Sequence, residues 1–255
     1  MNIVAIAQQK GGVGKTTSAL ALGHALAEQG KRALLVDLDP QSSLTISLGL
    51  NPASLGKTVY DLLREKEKPL EATAVITKTP IDRLDLIPAN IDLAGAETEL
   101  VGQLNREGIL RDALAPLKGS YDYILIDCPP SLGLLTTNAL TAATHVLIPI
   151  QSDYLAMRGT TLLLETIGRI QRKLNPRLEV WRILITMHNV RTVHAKEVLE
   201  EIRSTFKDVV FTTPIKYSVR AKEAPVEGQS ILTYDPLSEV ARAYRSLAQE
   251  LISHG

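Results

Sequence analysis

The stretch Gln9-Lys10-Gly11-Gly12-Val13-Gly14-Lys15-Thr16-Thr17 constrains the fold of this chain more than any other. It follows the apolar run Ile3-Val4-Ala5-Ile6-Ala7 and precedes the helical pattern Ala19-Leu20-Ala21-Leu22. Strand, glycine-rich turn and helix is the context that a phosphate-binding loop requires. Glycines let successive backbone N–H groups converge on phosphate oxygens, and the helix that follows points its positive end at the same anion. In such a loop Lys15 reaches the β- and γ-phosphates and the Thr16 hydroxyl ligates Mg²⁺. The first glycine of the usual G-x-x-x-x-G-K-[ST] pattern is absent: Gln9 stands there, followed by a second lysine, Lys10.

Two further strands carry acids at their ends. Ala33-Leu34-Leu35-Val36-Asp37 is an unbroken apolar run suited to a central parallel strand, and it leads into Leu38-Asp39-Pro40-Gln41. Carboxylates there lie where open α/β sheets bind ligands; the alternative is a capping turn before the helix near 42–48. Tyr123-Ile124-Leu125-Ile126-Asp127 has the form of a Walker B strand, whose acid holds Mg²⁺ directly or through water. Cys128 follows it and reads as a small buried filler, since no histidine is near in sequence.

Further strands are expected at 83–88, 146–150, 180–187 and 209–212. Helices are expected near 42–48, 59–63, 92–104, 108–117, 155–174, 193–206 and 237–252. Their alternation, without repeats or a low-complexity linker, predicts one α/β domain over residues 1–255: a doubly wound, mainly parallel sheet flanked by helices on both faces. The stripe Leu237, Val240, Ala241, Tyr244, Leu247 and Leu251 is expected to dock on that domain.

Composition narrows the class. Of 255 residues, 45% are hydrophobic, enough for a core, yet no apolar run approaches the ~20 residues of a membrane span. The N-terminus has no secretory pattern, and a single cysteine excludes an intramolecular disulfide, so a cytoplasmic location is expected. Net charge is zero, but residues 151–222 hold 13 Lys+Arg against 7 Asp+Glu. That segment reads either as a solvated face or as a nucleic-acid footprint.

Taken together, Lys-Gly-Gly-Val-Gly-Lys-Thr-Thr, Val-Asp-Leu-Asp-Pro-Gln, Ile-Asp-Cys-Pro-Pro-Ser and Val-Arg-Ala-Lys-Glu-Ala-Pro resemble the ParA/Soj family of partition ATPases, over nearly the whole chain and in order. The resemblance is to the short, Soj-like members, and implies the P-loop NTPase fold of the deviant Walker A type shared with MinD. It implies that ATP and Mg²⁺ are the cofactors. Residues Lys10, Gly11, Gly12, Val13, Gly14, Lys15, Thr16 and Thr17 would then cradle phosphates. Lys10 would cross to the partner in an ATP-bound homodimer. Lys10, Lys15 and Asp39 would be catalytic, with Asp39 positioning the attacking water on the metal side. Thr16, Asp39 and Asp127 would serve the Mg²⁺, and Asp37 would support the lysine and metal environment. Asn189, Pro214 and Lys216 would flank the adenine. Arg191, Arg220, Lys216 and Lys222 would bind DNA without sequence preference. A ParB-like activating protein would be the partner, and the location nucleoid-associated.

The resemblance departs at Pro214-Ile215-Lys216-Tyr217-Ser218-Val219-Arg220, where the family usually has Pro-Arg-Asn-Val-Arg. A membrane-cycling MinD-like role is the alternative. It needs an amphipathic C-terminal anchor, and Leu251-Ile252-Ser253-His254-Gly255 is a poor one.

Overall fold

The computed structural model describes residues 1–64, 70–152, 154–189 and 193–254. A seven-stranded sheet forms the centre, in the order β3-β4-β2-β5-β1-β6-β7. The strands are β1 (Asn2–Ile6), β2 (Ala33–Asp37), β3 (Thr77–Lys78), β4 (Leu84–Ile87), β5 (Tyr123–Asp127), β6 (His145–Gln151) and β7 (Glu179–Thr186). All pair in parallel except β3, which pairs antiparallel with β4 at the edge. The two-residue β3 gives too short an alternation to be visible in sequence.

Alternation along each strand feeds two cores, because successive side chains leave opposite faces of the sheet. Val4, Ile6, Leu35, Leu125 and Leu147 pack under α1 (Lys15–Glu28) and α11 (Glu239–His254). Ala5, Leu34, Val36, Ile124 and Ile126 pack on the other face. That face is covered by helices including α3 (Val59–Leu63), α4 (Leu93–Leu100), α5 (Ile109–Leu114), α6 (Leu134–Ala142) and α8 (Val193–Phe206). Strand residues buried on both sides explain the unbroken apolar runs.

The C-terminal stripe is spent on the fold. Tyr244, Leu247 and Leu251 are buried, at about 1.5–3 kcal/mol each, and the Tyr244 hydroxyl meets Ser18 Oγ of α1 at 2.9 Å. Leu237 departs from the expectation: it lies before α11 begins and is 81% exposed. Among the described residues, no helix is long and apolar enough to cross a membrane.

The expected strand at 209–212 does not form. Val210 makes one parallel bridge to Ile183, and Lys216 makes another to His188. Between them Pro214 lacks the N–H that a continuous ladder needs. The segment instead covers the edge of β7 through single bonds such as Ile215 N to Ile185 O, 2.8 Å.

The excursion after α2 (Ser43–Ile46) carries a capping box, Thr58 with Asp61, that starts α3, whose Val59, Leu62 and Leu63 enter the core. Gly49 and Gly228 meet backbone to backbone, both at positive φ (77° and 65°). A Cβ on Gly228 would sit 2.9 Å from Gly49 Cα. Gly228→Ala is therefore expected to cost about 2–4 kcal/mol, from left-handed strain plus overpacking. Thermal melts of the two proteins measure it directly.

Candidate functional site

The carboxyl ends of β1, β2 and β5 lie side by side, and the register pairs Asp127 with both Ile6 and Asp37. The loop leaving β1 therefore passes directly over the acids that end its neighbours. Its path needs glycine where φ is positive, at Gly12 (73°) and Gly14 (88°). Gly14 opens α1 without a side-chain cap, and no acid occupies the first turn. The free N–H groups and the helix dipole thus converge on the loop's concavity.

Side chains from distant elements hold the loop. Thr186 Oγ1 donates to Val13 O (2.8 Å), Gln151 Nε2 donates to Gly12 O (3.2 Å), and Gln8 Nε2 donates to Thr160 Oγ1 of α7 (Tyr154–Lys173; 3.1 Å). Gln8, Gln151 and Thr186 were not singled out from sequence. Their only signal was position: Gln151 and Thr186 end parallel strands, where such sheets bind ligands. Lys15 is buried, 7% exposed, under the loop, whereas Lys10 is half-buried on its rim between exposed Gln9 and Gly11.

The acids divide by environment. Both oxygens of Asp127 are buried and accept no hydrogen bond of normal geometry. Burial, and then the charge of Asp37, push its carboxyl far above the usual range, while nearby Thr16 and Lys15 offset part of this. An orphaned buried carboxylate beside a threonine hydroxyl is the donor set that suits Mg²⁺. That ion takes one or two carboxylates plus phosphate oxygens and keeps several waters. Thr16 and Asp127 thus fit the metal.

Asp37 behaves differently. It is fully buried, and burial lifts its carboxyl to about 6, but it accepts bonds from Thr45 N (2.9 Å), Thr45 Oγ1 (2.7 Å) and Asp39 N (3.2 Å). These three hydrogen bonds support the following turn rather than a lysine. Asp39 is half-buried and accepts from Gln41 N (2.9 Å), so it projects from a turn beyond the strand end.

Beside the loop lies a narrow cleft of about 40 Å³, lined by Gly14, Thr17, Met187, Ile215, Tyr217 and Lys222 among others. It runs from the phosphate loop to the segment along the β7 edge, the side on which a base attached to loop-bound phosphates would lie. Neither Pro214, half-buried, nor Asn189, exposed, is among its lining residues, whereas Lys216 lines it while pairing with Glu239 (2.9 Å). Met187 and Tyr217 are lining residues that sequence reasoning missed, since neither belongs to a recognised pattern.

Of the residues expected to bind DNA, Arg191 lies outside the described residues. Arg220 opens α9 (Arg220–Glu223), pairs with Asp235 at 3.5 Å and lies over the Tyr234 ring of α10 (Ile231–Tyr234). Lys222 Nζ lies 4.7 Å from the Tyr217 ring centroid. Local acids and rings thus occupy these exposed cations.

A parallel sheet with a glycine loop between β1 and α1, and with acids on the adjoining strand ends, defines a P-loop nucleoside triphosphatase of the ParA/MinD architecture. A family model described as an AAA domain matches residues 1–180. The chain is 47% identical over 253 residues to the sporulation initiation inhibitor protein Soj of Bacillus subtilis, covering 99% of each chain. It is 49% identical to the chromosome-partitioning ATPase Soj of Treponema pallidum, covering 96% of this chain and 94% of that one. Among solved structures, a cobyrinic acid a,c-diamide synthase from Mycobacterium smegmatis with bound ADP and magnesium superimposes with a TM-score of 0.86. It is 42% identical, and the match covers 100% of this chain and 95% of that one. The chain belongs to the Soj/ParA family of partition ATPases.

Proposed function

We propose that residues 1–255 form one ATPase domain that dimerises on binding ATP and Mg²⁺, binds DNA without sequence preference and partitions a chromosome or plasmid cargo. A ParB-like protein triggers hydrolysis and release. The observation that carries this reading is the loop with two lysines in different settings, Lys15 sealed beneath it and Lys10 on the rim. Lys15, Thr16 and Asp127 hold the nucleotide and its metal. Asp39 orients the attacking water, and the cleft by Tyr217 takes the adenine between the Asn189, Pro214 and Lys216 positions. The bound metal supplies charge neutralisation at the β- and γ-phosphates. The chain works in the cytoplasm, on the nucleoid.

DNA contact falls to Arg220, Lys216, Lys222 and Arg191. The described three occupy exposed positions, and surface ion pairs such as Arg220–Asp235 exchange readily for phosphate. The test is DNA binding by gel shift across salt, with ATP and with ADP. ATP alone supports binding to DNA of arbitrary sequence. Arg220→Ala lowers the slope of log K against log salt by about 1 per arginine removed, while dimerisation persists. Alanine is preferred to glutamate here, which would face Asp235 with like charge. Equal binding with ADP would sink the reading.

The diamide synthase among its structural neighbours suggests a second reading, a nitrogen-transferring ligase. Taking ammonia from glutamine by thiolate attack requires a reactive cysteine. Cys128 is fully buried and burial raises its thiol further, so the chain lacks that nucleophile.

A further inference from the structure

We propose that Thr45 is the positioning residue for Asp39, acting through Asp37; this rests on the ATPase reading above. Asp39 stands outside the sheet, on a turn, so its geometry depends on what fixes that turn. Entry is fixed by Asp37, whose Oδ1 accepts from Asp39 N at 3.2 Å. Exit is fixed by the same carboxylate, whose Oδ2 accepts from Thr45 N at 2.9 Å and Thr45 Oγ1 at 2.7 Å. One buried carboxylate therefore clamps both ends of the segment that presents Asp39.

The threonine hydroxyl does two things at once. It donates to Asp37 and accepts from Ala89 N at 3.0 Å, just past β4. Both side chains are fully buried, so water cannot replace either bond. Within the clamp, Ser42 N donates to Asp39 O (2.8 Å), and Ser42 takes a positive φ of 55°. Beyond it, α2 runs on to Gly49, which is seated on Gly228. The turn is thus tied to β2, to the end of β4 and to the segment before α10. Asp39 is held where a rigid turn puts it rather than where a mobile loop would.

Removing the hydroxyl while keeping the shape isolates this role. Thr45→Val deletes the hydroxyl's bond to Asp37, keeps that of Thr45 N, and leaves Ala89 N unpaired; Thr45→Ser retains all three. A displacement of about 1 Å in a positioning group costs on the order of 10²-fold. Thr45→Val is therefore expected to lower kcat by about 10- to 100-fold with KM for ATP within about twofold, since nucleotide binding does not use the turn. Thr45→Ser recovers kcat to within about threefold. Asp37→Asn and Thr45→Val together cost less than the sum of their separate effects, because both loosen the same turn.

Two measurements decide it. Steady-state ATPase, normalised to the folded fraction, is read for wild type, both Thr45 variants, Asp37→Asn and the double variant. Hydrogen exchange of the Asp39 and Thr45 amides is read without nucleotide. Faster exchange in Thr45→Val, reversed in Thr45→Ser and matched by the kcat pattern, supports the clamp. Unchanged exchange, or a fall in activity that vanishes on normalisation, overturns it. If wild type itself hydrolyses no ATP, the functional reading fails, and the exchange result still judges the clamp.

Discussion

Lys10→Ala is expected to bind ATP as tightly as wild type but to remain monomeric by light scattering, with turnover lowered by about 10³–10⁵-fold, or about 4–7 kcal/mol of barrier. The reasoning starts from redundancy. A phosphate loop needs one lysine for its own β- and γ-phosphates, and buried Lys15 is placed for that task. Lys10 sits on the rim, half-buried between exposed neighbours, where a second chain can approach. A cation supplied in trans stabilises charge that develops only in the transition state, which is why its loss falls on turnover. Lys15→Ala is the contrasting control and loses nucleotide binding itself.

Mixing separates action in trans from action in cis. A dimer of one Lys10→Ala chain and one Asp39→Ala chain retains a single intact composite site. That site takes Asp39 from the first chain and Lys10 from the second. The mixture should regain activity that neither variant shows alone. Full turnover by a monomeric Lys10→Ala protein would remove the composite site altogether.

How much of this was legible in the sequence differs by scale. The sheet and its site-bearing ends were, because strands buried on both faces advertise themselves as apolar runs and their terminal acids stand out. Asp127 could be placed beside the loop because a Walker pair implies adjacency, and its register with Ile6 of β1 realises that. The role of Asp37 was only half legible. Asp37 and Asp39 read either as acids at a ligand-binding sheet edge or as a capping turn, and the contact that decides for Asp37 comes from Thr45, eight residues on, which no pattern encodes. The β7 edge was misread for a related reason. Val209 to Thr212 has the composition of a strand, but pairing there depends on what lies alongside and on the missing donor of Pro214. The cleft beside the loop was invisible because Met187 and Tyr217 meet Gly14 only through the fold.

Asp127→Asn is expected to move stability and function in opposite directions. Its carboxylate is buried without a hydrogen bond of normal geometry, beside Asp37, and its pKa is raised, chiefly by burial. A carboxyl whose folded pKa lies above its unfolded value binds protons more tightly in the folded state. Stability is therefore greatest below the unfolded pKa, near 4, and falls as pH rises towards the folded pKa. Asp37, lifted to about 6, adds to the loss over the lower part of that range. At pH 8 the amide removes an uncompensated charge. It should stabilise the chain by about 1–3 kcal/mol, with roughly 2–4 °C in Tm for each. The wild-type Tm should fall between pH 5 and 8, and that of the variant should fall less. Adding ATP and Mg²⁺ should reverse the ranking, because the metal satisfies the wild-type carboxylate and finds no charge in the variant. Turnover in the variant should drop by about 10²–10³-fold, the loss typical of one aligned electrostatic contact. A variant that melts lower than wild type at pH 8 without nucleotide, or that gains as much from Mg²⁺ and ATP, would mean that Asp127 is satisfied within the fold and does not wait for the metal.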